Sequence, residues 1–389
     1  MARKATLGAH GSGTIRHRAD GRWEARYTIG TDPISGKQIQ KSIYGKTQKE
    51  VRQKLAKITA ELDEGTYLAP VKDSVEEWLC AWLDLYARKS VSSYTYDSYK
   101  RICDCHIRPY LGKVNLGELN ALQIQQFYNH LSDEKGLSPK TVKNIHGVLH
   151  KVLQQAVKIG MLRLNPTEAC ELPECIRREI SPMEQDDLKR FLESIQGHSY
   201  EFVYRVTVFT GLREGEVLGL TWDCIDFEKN EILVNKQLKK TSKVGGEYIL
   251  APTKNRQKRR IMVAPSVMRV LKEQKERQEE LRLAANGLWS NEWELVFTNE
   301  FGGHLCHFTV YKHFKAVAKK IGMPNARFHD LRHSYAVAAI ESGDDIKTVQ
   351  DNLGHATASF TLDVYGHVSQ MMRQQSAERM EQFIQSVNS

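Results

Sequence analysis

Apolar positions along this chain change their spacing several times, and each change marks a different kind of element. Residues 1–10 show no period and predict a flexible arm. Three short strand-like runs follow: Gly13–Arg18, Trp23–Ile29 and Gln38–Tyr44. Asp20-Gly21 signals a hairpin turn, and Asp32-Pro33 with Ser35-Gly36 signals a longer one. Thr47 and Glu50 form a capping-box pair, after which Val51, Leu55, Ile58 and Leu62 recur at helical spacing. The pattern predicts a three-stranded sheet backed by one helix.

The composition shifts near Tyr67–Lys72. A second capping pair, Ser74 and Glu77, then opens a helix carrying Val75, Trp78, Leu79, Trp82, Leu83 and Tyr86. Further helices are predicted at 92–107, 121–132 and 139–159, the last between Ser138-Pro139 and Gly160. Beyond a linker, Ser181-Pro182 with Glu184 predicts a helix over 182–195, and another covers 199–210. Strand runs follow at Ile225–Phe227, Glu231–Gln237, Glu247–Leu250 and Arg259–Val263. Helices at 265–285 and 307–321 flank a short strand at Leu295–Thr298, and the chain reads helical from His329. Met380, Phe383, Ile384 and Val387 form the apolar stripe of a terminal helix.

The expected fold is multidomain, mainly α with small β-sheets. Residues 1–72 form the sheet-plus-helix domain and 73–168 an all-α domain. A linker spans 169–180, an α+β domain 181–370, and the C-terminal helix 371–389. A length of 389 residues agrees with several cores.

Charge sharpens this division. Residues 1–72 hold 14 Lys/Arg and 7 Asp/Glu, a net +7 of the chain's +9. Arg16, Arg18, Arg22, Arg26 and Lys41 lie on or beside the predicted strands, and a sheet face can enter a DNA groove. These five are the candidate DNA-binding residues. The seven cysteines are scattered and odd in number, which favours a reducing compartment over a disulfide framework. No signal pattern or membrane-length apolar run is present, so a cytoplasmic location without membrane contact is expected.

Three near-motifs carry little. Gly30 to Lys37 lacks the spacing and the hydroxyl residue of a phosphate loop. Cys103-Asp-Cys105-His106 and His304-Leu-Cys306-His307 lack the second ligand pair of a zinc site, and packing is the expected role of both. Neither a metal nor a nucleotide cofactor is expected.

A different set stands out. Thr210-Gly-Leu-Arg213-Glu-Gly-Glu216 places Arg213 in a tight corner, with Glu216 one turn on to orient it. His329 and Arg332 share a helical face by their i,i+3 spacing, whereas Asp330 and His333 are expected to point elsewhere. Leu353-Gly-His355 puts a histidine in a turn, and Tyr365 follows ten residues later. Ala251-Pro-Thr-Lys254-Asn is a basic hairpin between two strands; Lys243 and Lys258 compete with Lys254 for any role there. Each residue alone has an ordinary structural explanation. Together, two arginines, two histidines and a tyrosine suit attack on a phosphodiester by a phenol.

In these motifs the sequence resembles a tyrosine recombinase, of the integrase group carried by conjugative transposons and temperate phages. The resemblance runs over nearly the whole chain: an arm-type DNA-binding module, a core-binding domain and a catalytic domain. It implies Tyr365 as the nucleophile, His329 as the general base, and Arg213 and Arg332 as phosphate forks. His355 would donate to the phosphoryl oxygens. Lys254 would be the acid for the leaving 5′ oxygen, although the family's Lys-Thr is Lys-Asn here. It further implies a 3′-phosphotyrosyl intermediate, double-stranded DNA with core and arm sites, and a homo-tetramer. An excision factor and a host DNA-bending protein are the implied helpers, and the bacterial nucleoid the implied location. The terminal helix would dock on a neighbouring protomer or cap its own domain.

Overall fold

The structure, a computed structural model, describes residues 14–32, 35–65, 67–68, 71–175, 182–242, 245–253, 258–354 and 370–388. The fold is mainly helical with small antiparallel sheets, divided into two compact units, Met1–Cys175 and Ile176–Ser389.

The first unit begins with β1 (Thr14–His17), β2 (Trp23–Thr31) and β3 (Gln38–Gly45), antiparallel in that order. The pleat sends Ala25 and Tyr27 to one face, where they meet Val51 and Leu55 of α1 (Gln48–Asp63). Thr47 caps α1 by accepting the Glu50 N–H at 3.2 Å, while Glu50 accepts from Lys46 N–H rather than from the cap residue. The other face of β2 carries Glu24 and Arg26.

Four further α-helices follow in this unit. They are α2 (residues 75–90), α3 (93–111), α4 (Ala121–Asp133) and α5 (Pro139–Lys158). The capping box before α2 is formed: Ser74 N–H donates to Glu77 at 2.7 Å, and Glu77 N–H to Ser74 Oγ at 3.2 Å. Trp78, Leu79, Phe127, Leu149 and Val152 fill the core, each such side chain contributing about 1.5–3 kcal/mol on burial. Two π turns, Leu83–Ala87 and Cys103–Ile107, interrupt α2 and α3, and Cys103 is buried within the second. After α5 the chain stays attached: Glu171 N–H donates to Gln125 at 2.8 Å and Cys170 Sγ donates to Ala121 O.

The second unit departs from expectation at three places. The helix expected from 182 begins at Gln185 as α6 (Gln185–Ser194); Glu184 is still extended. Met183 is buried and donates its N–H to Ser334 Oγ at 2.8 Å, so this entry segment is stitched to a later helix instead of coiling. The expected strand Glu231–Gln237 is split at Asn235, between β5 (Glu231–Val234) and β6 (Lys236–Lys240). The first lies between β4 (Ile225–Asp226) and β8 (Arg259–Met262); the second pairs only with β7 (Tyr248–Pro252). The expected strand Leu295–Thr298 makes only single bridges, from Leu295 to Thr221 and from Thr298 to His304.

The helices that hold the site are α7 (Glu201–Thr210), the short α8 (Glu214–Leu218), α9 (Pro265–Ala284), α10 (His307–Lys320), α11 (Phe328–Glu341) and α12 (Ile346–Leu353). The first five share a core that includes Val206, Val217, Phe314, Phe328 and Leu331, while Val349 and Leu353 of α12 pack with Ala336 and Ile340 of α11 in a separate cluster. The terminal α13 (Gln370–Asn388) carries Met380, Phe383, Ile384 and Val387, all exposed. No helix among the described residues is long and apolar enough to cross a membrane.

Candidate active site

The corner holding Arg213 is dictated by Gly211. Helix α7 ends there in the left-handed conformation, φ 64°. A β-carbon at this position would lie 2.5 Å from Tyr335 Cδ1 and 2.7 Å from Leu353 Cδ2, so both the dihedral and the space demand glycine. Leu212 is buried, and α8 starts immediately, with Arg213 at its N-cap. Glu216 accepts the Arg213 N–H at 3.0 Å and Nη1 at 2.8 Å, as the i,i+3 spacing anticipates.

The sequence reading missed the second partner of Glu216. Arg259, first residue of β8, donates Nη2 and Nη1 to the same carboxylate at 2.6 and 3.0 Å. Burial pushes the Glu216 carboxyl up, but hydrogen bonds and charge from Arg259, then Arg213, outweigh it and hold the group at about 2. Period two could have flagged Arg259: it shares a strand face with buried Ile261, an inward position for an arginine.

Helix α11 supplies His329 and Arg332. Its start is fixed by Asp330, whose carboxylate accepts from Arg327 N–H and Nη2, each at 2.8 Å. Arg332 is 1% exposed. A buried guanidinium needs acceptors, because an uncompensated buried charge costs several kcal/mol. Its Nη1 donates to Gly211 O at 2.7 Å and its Nη2 to Leu353 O. His333 does not point away as expected: its ring packs edge-on against His329, centroids 4.9 Å apart, because i,i+4 positions also share a helical face. His329 is exposed as a residue, yet its crowded setting lowers its pKa to about 4. Burial is the main cause, followed by the positive charge of neighbours that include Arg332 and Arg213. The imidazole is therefore neutral at neutral pH and able to accept a proton.

The arginines converge on the C-terminal end of α12. Arg259 Nε donates to Asn352 O at 2.8 Å, Arg332 to Leu353 O, and Arg213 Nη2 to Gly354 O at 3.1 Å. Three consecutive carbonyls thus each receive one guanidinium, at a helix end where unsatisfied acceptors and the macrodipole favour cations. Gly354 closes α12 in the left-handed region, φ 64°. The structure brings Arg213, His329 and Arg332 together at this point. Lys254, His355 and Tyr365 lie outside the described residues.

In the N-terminal sheet, Arg16, Arg18 and Arg26 gather on Glu24. Arg16 Nε donates to it at 2.7 Å, Arg26 Nε at 3.1 Å and Arg18 Nη1 at 3.4 Å. Side chains laid over Glu24 leave it 1% exposed. The Ser42 hydroxyl, then Arg16 and Arg26, lower its carboxyl to about 2. Arg22 is held by Asp20 at 2.8 Å, and Arg18 and Arg22 both lie over the Tyr44 ring. Lys41 is set apart: its register partner is Tyr27, which places it on the α1 face, opposite Arg16 and Arg26. Elsewhere, the His304 and His307 rings pack against Tyr248, whose hydroxyl donates to Cys306.

Two guanidinium forks and a neutral imidazole thus lie close together in a helical domain, an arrangement able to receive an anionic group. The phage integrase family model matches residues 182–372, and that of the phage integrase N-terminal SAM-like domain matches 74–132. An XerC-like tyrosine recombinase of Caldanaerobacter subterraneus subsp. tengcongensis is 31% identical over 374 residues, covering 91% of this chain and 94% of the relative. The ICEBs1 integrase of Bacillus subtilis is 27% identical, over 95% of this chain and all of that protein. The Tn1549 transposon integrase, solved with a circular intermediate DNA, shares the fold with TM-score 0.67 at 20% identity, covering 79% of this chain and 99% of that one. The chain belongs to the tyrosine recombinase family, in its phage integrase group. Its activity is the family's, the breaking and rejoining of DNA.

Proposed function

We propose that this enzyme integrates and excises a mobile element, such as a conjugative transposon or prophage, using the constellation Arg213, Lys254, His329, Arg332, His355 and Tyr365. The observation that carries the reading is the convergence of Arg213 and Arg332, from separate helices, on the turn that leads directly into His355.

A phosphodiester gains negative charge on its non-bridging oxygens as the nucleophile approaches. Planar guanidinium forks match that geometry and stay charged. The Tyr365 phenol ionises only near pH 10 when unperturbed, so it needs a base. Neutral His329 fits that role. The phenol proton passes to His329 as the oxygen–phosphorus bond forms. The bond to the 5′ oxygen breaks, and Lys254 supplies that oxygen with its proton. The 3′-phosphotyrosyl ester conserves the bond energy, so rejoining by a 5′ hydroxyl needs no nucleotide. His355 completes the donor set around the phosphoryl group.

The remaining parts suit recognition and assembly. Residues 73–168 would grip the core site together with 181–370, and residues 1–72 would read arm sites through Arg16, Arg18, Arg22 and Arg26. Lys41, on the opposite face, is better placed for a flanking phosphate. Exchange of both strands between two duplexes needs four cleavages, which favours a tetramer. The exposed apolar stripe of α13 would then seat on a neighbouring protomer. An excision factor, a host DNA-bending protein and a nucleoid location complete the proposal.

A nicked suicide duplex, built from the ends of the element that carries the gene, tests it. The wild type should be trapped covalently on the DNA, while Tyr365→Phe binds the duplex and forms no adduct. Arg332→Lys should lose most cleavage, because a single ammonium cannot reproduce the fork. Covalent trapping of the Phe variant would place the nucleophile elsewhere.

A further inference from the structure

The residue that ties this site together is one that contributes no proton and has little fork left for a phosphate. Arg259 is 11% exposed. Three of its nitrogens are already committed, two to Glu216 and one to the Asn352 carbonyl. It therefore spans three elements: β8, which follows Lys254 in the chain; α8, whose Glu216 orients Arg213; and the end of α12, which precedes His355.

We propose that Arg259 is a positioning residue for strand cleavage. It locks Glu216, which aims the Arg213 fork, and it anchors the carboxy-terminal end of α12 from which the His355–Tyr365 segment departs. The assignment rests on the recombinase reading above.

The geometry separates Arg259 from its two neighbours. Arg213 and Arg332 also hold α12, through Gly354 O and Leu353 O. A phosphate bound between their forks competes directly with those carbonyls, since an anionic oxygen is the stronger acceptor. Arg259 faces no such exchange, because its fork is matched bidentately by a carboxylate with 2% side-chain exposure. The Asn352 contact is then the tether that persists while the other two change partners. The Arg259 stem also packs beside Gly354: a β-carbon on that glycine would lie 3.1 Å from Arg259 Cδ. An arginine is required because one planar group must satisfy a carboxylate and a carbonyl at once; a lysine ammonium on its flexible stem cannot do so in fixed geometry.

The test uses the full chain and the nicked suicide duplex, with Arg259→Lys, Arg259→Met, Glu216→Gln and the Arg259→Met/Glu216→Gln double variant. Cleavage rate per bound complex and duplex affinity are measured separately. Arg259→Met is expected to bind the duplex with little change and to cleave roughly ten- to a hundredfold more slowly, the scale on which removing an orienting partner acts. Arg259→Lys should recover part of that rate. The effects of Arg259→Met and Glu216→Gln should be strongly non-additive, since one acts through the other. Where Arg259→Met fails to fold, Arg259→Lys carries the decision alone. Undiminished cleavage by the folded Lys variant, a loss confined to affinity, or additive effects in the cycle would each overturn the assignment. Wild-type trapping is the control that separates the two claims. If the wild type forms no adduct, the proposed phosphotyrosyl constellation fails and takes this inference with it. If the wild type is trapped and the Arg259 variants match it, only this inference fails.

Discussion

A single buried arginine shows how one side chain commits a whole neighbourhood. Arg332 is 1% exposed and donates to the carbonyls of Gly211 and Leu353. Its charge then helps keep His329 neutral, so the guanidinium and the imidazole are electrostatically coupled. His333 adds a measurable consequence. It is 5% exposed, and burial, with Arg327 and Arg332, lowers its pKa to about 4 against the opposing pull of Asp330. The unfolded chain therefore binds the proton first. This contribution to stability is complete above about pH 6.5 and is lost as the pH falls toward 4, in total roughly 3 kcal/mol. Urea denaturation of the full chain should show a lower midpoint at a pH of about 5 than at neutrality. His333→Gln should shrink that difference; an unchanged difference would remove His333 from the account. At this scale Arg213, Glu216, His329 and Arg332 were legible because their spacings of three are local. Arg259 was not, because its contact with Glu216 spans 43 positions and forms only when β8 reaches α8.

At the scale of elements, the site is a meeting of helix ends. The end of α7, the start of α8 and the end of α12 are brought within reach of one helix face on α11. Two glycines permit this, and they should differ in cost. Gly211→Ala combines a left-handed β-carbon with clashes against Tyr335 and Leu353, about 2–5 kcal/mol. Gly354→Ala carries the same backbone penalty but meets Arg259 less closely, its Cδ at 3.1 Å and Nη1 at 3.2 Å, and should cost less, about 1–2 kcal/mol. Equal unfolding free energies for the two variants would contradict this packing. Helix boundaries were largely legible, because caps such as Ser74–Glu77 and Ser138-Pro139 are local chemistry. The split of Glu231–Gln237 into β5 and β6 was not. It reflects which strand each half meets, and both halves read alike in sequence. The π turns in α2 and α3 likewise left no local signal.

At the scale of the molecule, the described part of the site is pre-built and the part carrying the proposed nucleophile follows it in the chain. Arg213, His329 and Arg332 are set by the packed core of the second unit. His355 and Tyr365 follow α12, and beyond them α13 exposes Met380, Phe383, Ile384 and Val387 along one stripe. An unburied stripe of this kind favours docking on another protomer over capping its own domain. Deleting residues 371–389 should leave a folded chain that binds core DNA as a monomer but forms no higher assembly and no recombinant product. Sedimentation on DNA, together with a recombination assay, reads both. Normal recombination by the truncated chain would rule out docking of α13 as the step that completes assembly. The charge division of the chain was visible from composition alone. Which face of the N-terminal sheet carries the arginines was not, because Lys41 belongs to the other side of the pleat.

In the proposed reaction a phenol at position 365 attacks DNA while the Arg213–Arg332 pair holds the phosphate. Proteolysis of the trapped adduct and mass analysis of the DNA-linked peptide test it most directly. One modified peptide is expected, containing Tyr365 esterified to a 3′ phosphate, and none from Tyr365→Phe. A 3′ phosphate on any other residue, or a link to a 5′ phosphate, would contradict it.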